Sequence, residues 1–275
     1  MGKFKVPIYM LMIFISISIG LWICLDNVFY FFNFMYIGFL VSLGIFLLIK
    51  KYKYSRQFVQ FGVGLYMLVY LGLICRENMQ IEGFWYYLFM GVFQAAVIHY
   101  AVAKIIGPLL FGRGWCGYAC WTAAVLDLLP YRIPENPRIK KLSFIRYIMF
   151  SGSILFVGVL FLLNNPDIEI VMFWSFVAGN IIYYAIGIAM ALILKDNRAF
   201  CKYICPITVF LKPASYFSLL RVKADSKKCI SCGKCKRVCP MNVDILDSKR
   251  SRENGTECIL CMECVKSCPK GAVYF

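Results

Sequence analysis

The sequence contains a single histidine, His99, and no Cys-x-x-Cys-His motif. A bis-histidine haem requires two imidazole ligands and a c-type haem requires that motif, so neither is expected in this chain. A Gly-rich phosphate loop, a dinucleotide-binding fingerprint and a hydrolytic triad are also missing. These absences argue against haem proteins, nucleotide-dependent enzymes and hydrolases.

Acidic residues are scarce, with 14 Asp and Glu against 30 Lys and Arg and a formal net charge of +16. By itself this excess would favour nucleic acid or an anionic lipid surface as a partner. The basic residues, however, are concentrated beside long apolar runs, where the positive-inside rule expects them. We interpret the charge mainly as a sign of membrane topology, with no nucleic acid partner.

Apolar residues make up 61% of the 275 residues, well above the share in a soluble domain. The sequence predicts six membrane-spanning helices of roughly 20 residues or more. Their approximate bounds are Val6–Leu25, Val28–Ile49, Phe58–Cys75, Phe84–Leu110, Phe144–Leu163 and Ile170–Leu194. Every second loop is basic and the others are mostly acidic, which predicts a multi-pass protein of the cytoplasmic membrane with both termini in the cytoplasm.

Eight of the 14 cysteines form two rows near the end of the sequence. A tight C-x2-C-x2-C loop lets three thiolates reach three irons of a cubane, and the fourth Cys of each row ligates the other cluster. The predicted ligands of the first [4Fe–4S] cluster are Cys229, Cys232, Cys235 and Cys268, and those of the second are Cys258, Cys261, Cys264 and Cys239. Zinc is disfavoured because zinc sites usually pair two C-x2-C knuckles. Residues 225–275 are therefore predicted to form an α+β ferredoxin domain in a reducing cytoplasm.

Two further pairs, Cys116/Cys120 and Cys201/Cys205, belong to an internal repeat. The segment from Arg113 to Cys120 matches that from Arg198 to Cys205 at its Arg, aromatic, Cys, Tyr and Cys positions, and Leu126 falls on Leu211. The repeat units are residues 58–142 and 143–224, each with two predicted spans and one motif, after two N-terminal helices in residues 1–57. Both copies run the same way through the membrane, so this is a parallel repeat whose thiol pairs should face each other.

The spacing of i and i+4 places both sulfurs of a pair on one face if the segment is helical. Four convergent thiols at a membrane boundary could hold a third iron–sulfur centre, act as redox-active dithiols or bind a soft ion such as copper. They could also be small buried apolar residues. Arg113 and Arg198 could stabilise thiolates or the negative charge of a cluster, or they could extend to the interface.

Two other positions leave alternatives open. His99 lies in the fourth predicted span near Gln94 and could bind or deprotonate a quinol, or be a hydrogen-bonded packing residue. Cys24 and Cys75 fall near the outer ends of their spans and could form a disulfide, although buried thiols are the simpler expectation.

The two C-x3-C motifs after membrane spans, with a terminal two-cluster ferredoxin, resemble the NapH-type membrane ferredoxins that supply electrons to periplasmic nitrate reductase. They also resemble the membrane half of the nitrous-oxide reductase accessory protein and copper-handling accessory proteins of cytochrome oxidase assembly. The resemblance covers about residues 84–275. In that family the motif is usually C-x3-C-P, and here Cys205-Pro206 keeps the proline whereas Cys120 precedes Trp121. The resemblance implies oxidation of membrane quinol, as in a quinol dehydrogenase component, or a related electron-transfer step.

Together these patterns predict a membrane all-α protein with a C-terminal ferredoxin domain, which passes electrons between its clusters, the membrane cysteines and quinone or a redox partner protein. A metal-handling assembly factor that binds copper at the membrane thiols is the alternative. A transporter is disfavoured because charged residues are expected to be lacking within the spans.

Overall fold

The computed structural model describes residues 5–93 and 96–275. The first four residues, which begin the predicted basic N-terminus, and Gln94 lie outside the described residues. The helices in chain order are α1 (Lys5–Leu25), α2 (Val28–Ile49), α3 (Ser55–Leu65) with its π-helical continuation Tyr66–Ile74, α4 (Ile81–Phe89), α5 (Ala96–Tyr100), a π-helical turn Ala101–Ile106, α6 (Gly107–Phe111), α7 (Gly114–Tyr118), α8 (Trp121–Leu126), a 3-10 turn Lys140–Phe144, α9 (Ile145–Leu162), α10 (Ile168–Leu194), α11 (Ala199–Tyr203), α12 (Thr208–Tyr216), α13 (Lys234–Arg237), a 3-10 turn Gly255–Glu257 and α14 (Glu263–Ser267).

Within the described residues, five helical segments are long and apolar enough to cross a membrane. They are Lys5–Leu25, Val28–Ile49, Ser55–Ile74, Lys140–Leu162 and Ile168–Leu194. Their continuous apolar sequences explain this, because a helix that is apolar all round is stable only in lipid or in a protein core. Local signals set the ends: Asn27 accepts a hydrogen bond from the backbone N–H of Phe29 at 2.9 Å and so caps α2. The protein is therefore built as a helical membrane bundle.

The fourth predicted span, Phe84–Leu110, is wrong as a single helix. Helix α4 ends at Phe89, and the next described helical stretch is Ala96–Phe111. Gly91, with φ of +70°, ends α4 in the left-handed conformation that glycine adopts without strain. A stretch of 16 residues such as Ala96–Phe111 rises only about 24 Å as an α-helix. A sixth membrane crossing therefore stays a prediction.

The segment before this break turns back into the bundle as a re-entrant hairpin. Asn78 donates a hydrogen bond to the carbonyl of Met172 near the start of α10, while Gln80 contacts Gly179, about two turns further along. Helix α4 then runs the other way: Trp85 donates to Ser153 in the middle of α9, and Phe89 packs on Phe161 near its end. Phe84–Phe89 therefore belongs to this hairpin and not to the following crossing.

The hairpin requires glycine at its turn, since a Cβ on Gly83 would lie 1.7 Å from the carbonyl oxygen of Asn78. It also places Glu82 in the first turn of α4, where its Oε2 is buried and has no hydrogen-bond partner in the part of the chain that the structure describes. Lys104 is only 5% exposed within the crossing that follows. The expectation of a membrane domain without internal charges is therefore wrong.

The C-terminal domain is closed by a small antiparallel sheet of β1 (Lys223–Ala224) and β2 (Val273–Tyr274). The pairing begins two residues before the predicted boundary at 225. In the segment before it, residues 206–222, the described helix covers Thr208–Tyr216. Leu211 is fully buried between the domains, whereas Phe217 and Leu219 are exposed. The linker therefore fastens the ferredoxin domain to the membrane domain through a shared apolar core.

Candidate iron–sulfur and quinol site

Two cysteine-lined pockets lie in the C-terminal domain, and each draws on both rows. One pocket, here called the inner pocket, is lined by Cys239, Cys258, Cys261 and Cys264. The other, the outer pocket, is lined by Cys229, Cys232, Cys235 and Cys268. The grouping is the one expected from the crossed ligand pattern. The assignment of ligands to clusters stays a prediction that this grouping supports.

Backbone amides point at the cysteine sulfurs of both pockets. Val243 N–H donates to Cys239 Sγ at 3.4 Å, and Ala272 N–H donates to Cys268 Sγ at 3.2 Å. Such bonds need a sharply folded chain, and the left-handed residues directly before these two donors, Asn242 and Gly271, provide it. Hydrogen bonds to sulfur stabilise thiolates and raise cluster potentials. The donor set and the amide cradle therefore fit a thiolate-bound cluster.

The four membrane cysteines lie where the bundle meets the ferredoxin domain. Cys116 and Cys201 are buried in the short helices α7 and α11. Cys120 and Cys205 follow the ends of these helices, and Cys120 has extended backbone. The condition for a shared helical face, a continuous helix through each pair, is therefore not met, because only the first cysteine of each pair lies in a helix.

The repeat arginines connect the two copies. Arg113 Nη2 donates to the carbonyl of Cys201 at 3.4 Å, and Arg198 Nη1 donates to the carbonyl of Cys116 at 3.1 Å. These reciprocal contacts place the two motifs face to face. Since Arg113 and Arg198 are 0% and 1% exposed, neither extends to the interface. Arg198 Nη1 also lies 4.0 Å from Cys201 Sγ, where positive charge favours a thiolate or an anionic centre.

The thiols themselves are buried beside cationic side chains. Burial raises the pKa of Cys120 and Cys205, and raises that of Cys201 to about 11 against the opposing charge of Arg198. Reactive dithiols normally have lowered pKa values, so the redox-dithiol alternative gains no support. A metal centre would displace these protons on binding, and the flanking arginines would balance its negative charge. The residues therefore fit a thiolate-bound centre.

The described side chains do not form a binding site for a single metal ion. Among the residues that the structure describes, no group of three or more His, Cys, Asp or Glu side chains could hold a single metal ion. This applies to the ferredoxin cysteines and to the membrane cysteines alike.

Each repeat arginine has a carboxylate partner that the sequence analysis missed. Arg198 pairs with Asp127 at 2.5 Å, and Arg113 pairs with Glu257. Burial alone would raise the pKa of Asp127, but Arg198 and Arg56 hold it below its usual range. The sequence does contain one indication that Glu257 belongs to the site, because Glu257 directly precedes Cys258. Nothing local distinguishes Asp127, whose role depends on the fold.

The repeat explains why Glu257 is needed. With Leu126 matching Leu211, Asp127 corresponds to Lys212. One side of the pseudo-symmetric site therefore pairs Arg198 with Asp127, while the other side would place Arg113 opposite Lys212. Glu257 lies between these two cations, in contact with Arg113 and 3.8 Å from Lys212 Nζ. The ferredoxin domain thus supplies the carboxylate that the second copy lacks.

His99 lies at the inner end of a cavity of about 280 Å³ lined mainly by α2, the end of α3 and the hairpin. It is 5% exposed, and its Nε2 has no hydrogen-bond partner in the described part of the chain. Asn33 lines the same cavity, and among the described residues its Oδ1 has no hydrogen-bond partner. His99 also packs edge-to-face against Trp115, with ring centroids 5.4 Å apart. Trp115 directly precedes Cys116, so the cavity and the thiol site share a wall.

Cys24 and Cys75 are both unpaired and exposed on the protein surface. The disulfide is not formed and the expected burial within the protein is wrong. Both lie near the ends of their helices, and Cys75 also lines the His99 cavity.

Three segments match known iron–sulfur families. Residues 221–269 match the family described as 4Fe-4S dicluster domain. Residues 93–139 and 171–224 each match the family described as 4Fe-4S binding domain. The second family thus matches both copies of the repeat and includes all four membrane cysteines. No solved structure shows a significant match to the chain.

Curated relatives are distant. An uncharacterised protein of Methanocaldococcus jannaschii is 25% identical over 55% of this chain and 61% of its own length. YccM of Escherichia coli, provisionally named an electron transport protein, is 24% identical over 55% of this chain and 48% of its own. The methylamine utilization ferredoxin-type protein MauN of Methylobacillus flagellatus is 28% identical over 48% and 50%. The match spans only about half to three fifths of these relatives. The chain is therefore similar to 4Fe-4S families in its dicluster domain and in both cysteine motifs, and over about half its length to an electron transport protein and a ferredoxin-type protein.

Proposed function

We propose that this protein is an integral-membrane iron–sulfur electron carrier. Its outer and inner pockets hold the two [4Fe–4S] clusters, and Cys116, Cys120, Cys201 and Cys205 hold a third thiolate-bound centre. Membrane quinol is the electron donor, or quinone the acceptor, at the His99 cavity. The ferredoxin domain lies on the cytoplasmic side, where the exposed Cys232 faces a redox partner protein.

The observation that carries this proposal is the direct contact between the first membrane motif and the inner pocket. A Cβ on Gly117 would lie 2.3 Å from the carbonyl oxygen of Ile259, so only glycine permits this approach. The next residue, Tyr118, donates a hydrogen bond to the carbonyl of Leu260 at 3.0 Å. Ile259 and Leu260 separate two cysteines of the inner pocket. The membrane thiols and the inner pocket are therefore neighbours across one layer of backbone.

Clusters in such sites supply one-electron transfer when bound. The chain contributes the rest: it buries the inner cysteines, donates amides to sulfur and surrounds the membrane thiols with arginine. Burial and hydrogen bonding are the means by which a protein sets cluster potentials. In this proposal electrons pass between four successive sites from the solvent into the bundle. These sites are the outer pocket, the inner pocket, the membrane thiols and the His99 cavity.

At the cavity, oxidation of a quinol releases two electrons and two protons. His99 Nε2 is free to accept one hydroxyl proton, and the carboxylate of Glu77, which lines the same cavity, can accept the second. Asn33 Oδ1 can accept a hydrogen bond from a quinol hydroxyl group. The electrons leave in single steps past Trp115 towards Cys116. The mouth of the cavity, near Asn27 and Cys75, lies at the end of the bundle opposite the ferredoxin domain.

The third centre is tested by the double substitution Cys116→Ala and Cys201→Ala, with Cys24→Ala and Cys75→Ala as a matched cysteine control. We expect about eight iron atoms per chain to remain, as two cubanes require, and one electron paramagnetic resonance signal to disappear. An unchanged spectrum and iron content would refute the third centre. Stoichiometric copper in the unaltered protein would instead favour the metal-handling alternative.

Quinol exchange is tested in liposomes. Quinol or quinone should change the cluster absorbance of the unaltered protein, and His99→Phe should slow this change while iron content stays constant. Tyr147→Phe, at an exposed site on α9, is the control. Clusters that neither quinol reduces nor quinone oxidises would exclude the quinol step and leave the relay intact.

A further inference from the structure

A basic cleft of about 510 Å³ opens at the seam between the two domains. Its charged lining residues are Arg138, Lys140, Lys212, Arg250, Arg252 and Glu257. Glu257 is the only acidic residue of this lining, and it is already occupied by Arg113, Arg138 and Arg146. The cleft therefore carries an excess of positive charge.

The excess is concentrated on one wall. Lys140 pairs with Glu253 at 3.0 Å, on the exposed rim. Arg250 binds only carbonyls, those of Tyr216 and Ser218 at 2.9 Å, and Arg252 binds the carbonyl of Val222. Among the described residues neither of these two arginines has a carboxylate partner. Arg250 is exposed, whereas Arg252 is only 6% exposed. A buried cation without a counter-charge is costly, so this wall is suited to an anion.

Lys212, on the opposite wall, is also close to several positive charges. Burial and the nearby charges of Arg146, Arg138 and Arg113 lower its pKa to about 8. Its side chain remains one third exposed, at 33%, and so can reach a bound group. The two walls would together surround a phosphate from two sides.

The position of the cleft identifies the kind of anion. The segment that spans the membrane as α9 begins at Lys140, on the rim of the cleft. Phe144 and Phe217 flank it and are 65% and 64% exposed, as expected of side chains that meet lipid. Basic pockets at this level bind the headgroups of anionic lipids. We propose that the cleft binds the phosphate headgroup of an anionic phospholipid and so anchors the ferredoxin domain at the membrane surface.

Purified full-length protein in neutral detergent provides the test. Phosphatidylglycerol should remain bound through native mass spectrometry and raise the melting temperature, whereas phosphatidylcholine should do neither. The double substitution Lys212→Gln and Arg250→Gln should weaken phosphatidylglycerol binding roughly 30-fold, from the usual worth of two basic residues at a lipid surface. Lys228→Gln with Lys266→Gln, on exposed parts of the ferredoxin domain, should leave binding unchanged.

Three results would overturn the proposal. One is equal binding of phosphatidylglycerol and phosphatidylcholine by the unaltered protein, which needs no variant. Another is an equal loss in both double variants, since that would indicate non-specific attraction. The last is an equal rise in melting temperature with inorganic phosphate at the same concentration, which would assign the cleft to a free anion and not to lipid.

Discussion

The inner and outer pockets are built from the same cysteine pattern but have different surroundings. In the inner pocket, burial raises the pKa of Cys258 and Cys264, and that of Cys261 to about 12. In the outer pocket burial also raises the pKa of Cys235, but for Cys268 the amides of Val273 and its neighbours outweigh burial and hold the pKa below its usual range. The inner pocket faces the membrane domain and the outer one faces solvent. Identical ligand spacing therefore yields one internal and one external electron-transfer position.

Removing one ligand from each pocket should separate them most clearly. Cys264→Ala and Cys232→Ala should each lower iron content by about four atoms per chain, because a cubane needs its ligands. Only Cys264→Ala should also lower the melting temperature of the junction, since Cys264 is 5% exposed and packs in the shared core. Iron analysis and thermal unfolding check this. Equal melting temperatures in the two variants would show that the pockets do not differ in this way.

Glu257→Gln should have the next largest effect. It leaves Arg113, Arg138 and Arg146 facing a neutral group in a buried site, and breaking a buried ion pair typically costs about 3–5 kcal/mol. Chemical denaturation of the ferredoxin domain would measure this loss. Glu263→Gln is the matched control beside the same cysteine row, because its exposed pair with Lys266 should be worth only about 0–1 kcal/mol. A similar loss in both variants would mean that Glu257 has no special role in docking.

Gly117→Ala should have a smaller effect. The added Cβ would press on the carbonyl of Ile259, and overpacking of this kind costs about 1–3 kcal/mol. Hydrogen exchange should become faster at Ile259 and Leu260 and stay unchanged around the outer pocket. Gly152→Ala, where an added Cβ meets nothing, is the control. Unchanged exchange at the inner pocket would contradict the proposed contact.

The smallest effect concerns pH. Lys212 has a pKa of about 8 in the folded protein against an ordinary value of 10.5, so between these values the unfolded chain binds more protons. Stability should therefore rise as the pH increases from 8 to about 10. Lys212→Met should lack this part of the rise, whereas Lys228→Met should retain it. Thermal unfolding in lipid-free neutral detergent, compared between the variants, isolates the contribution of Lys212.

Some features of this molecule could be predicted from the sequence and others could not. The cysteine rows indicate the dicluster domain, which the family match confirms, because cluster geometry imposes a short and regular spacing. Five of the six predicted spans correspond to long apolar helices, because lipid demands continuous apolar sequence. The span Phe84–Leu110 was wrong, since an apolar hairpin packed against other helices has the same composition as a helix in lipid.

Sequence alone determined the two cysteine rows, the repeated C-x3-C motifs and the membrane character, since each depends on residues close together in the chain. Only the tertiary structure decided that Glu257 supplies the carboxylate missing from the second repeat, and that Gly117 allows the first motif to touch the inner pocket. Both contacts join residues more than 100 positions apart. Such pairings depend on how the helices pack, which leaves no periodic signal in the sequence.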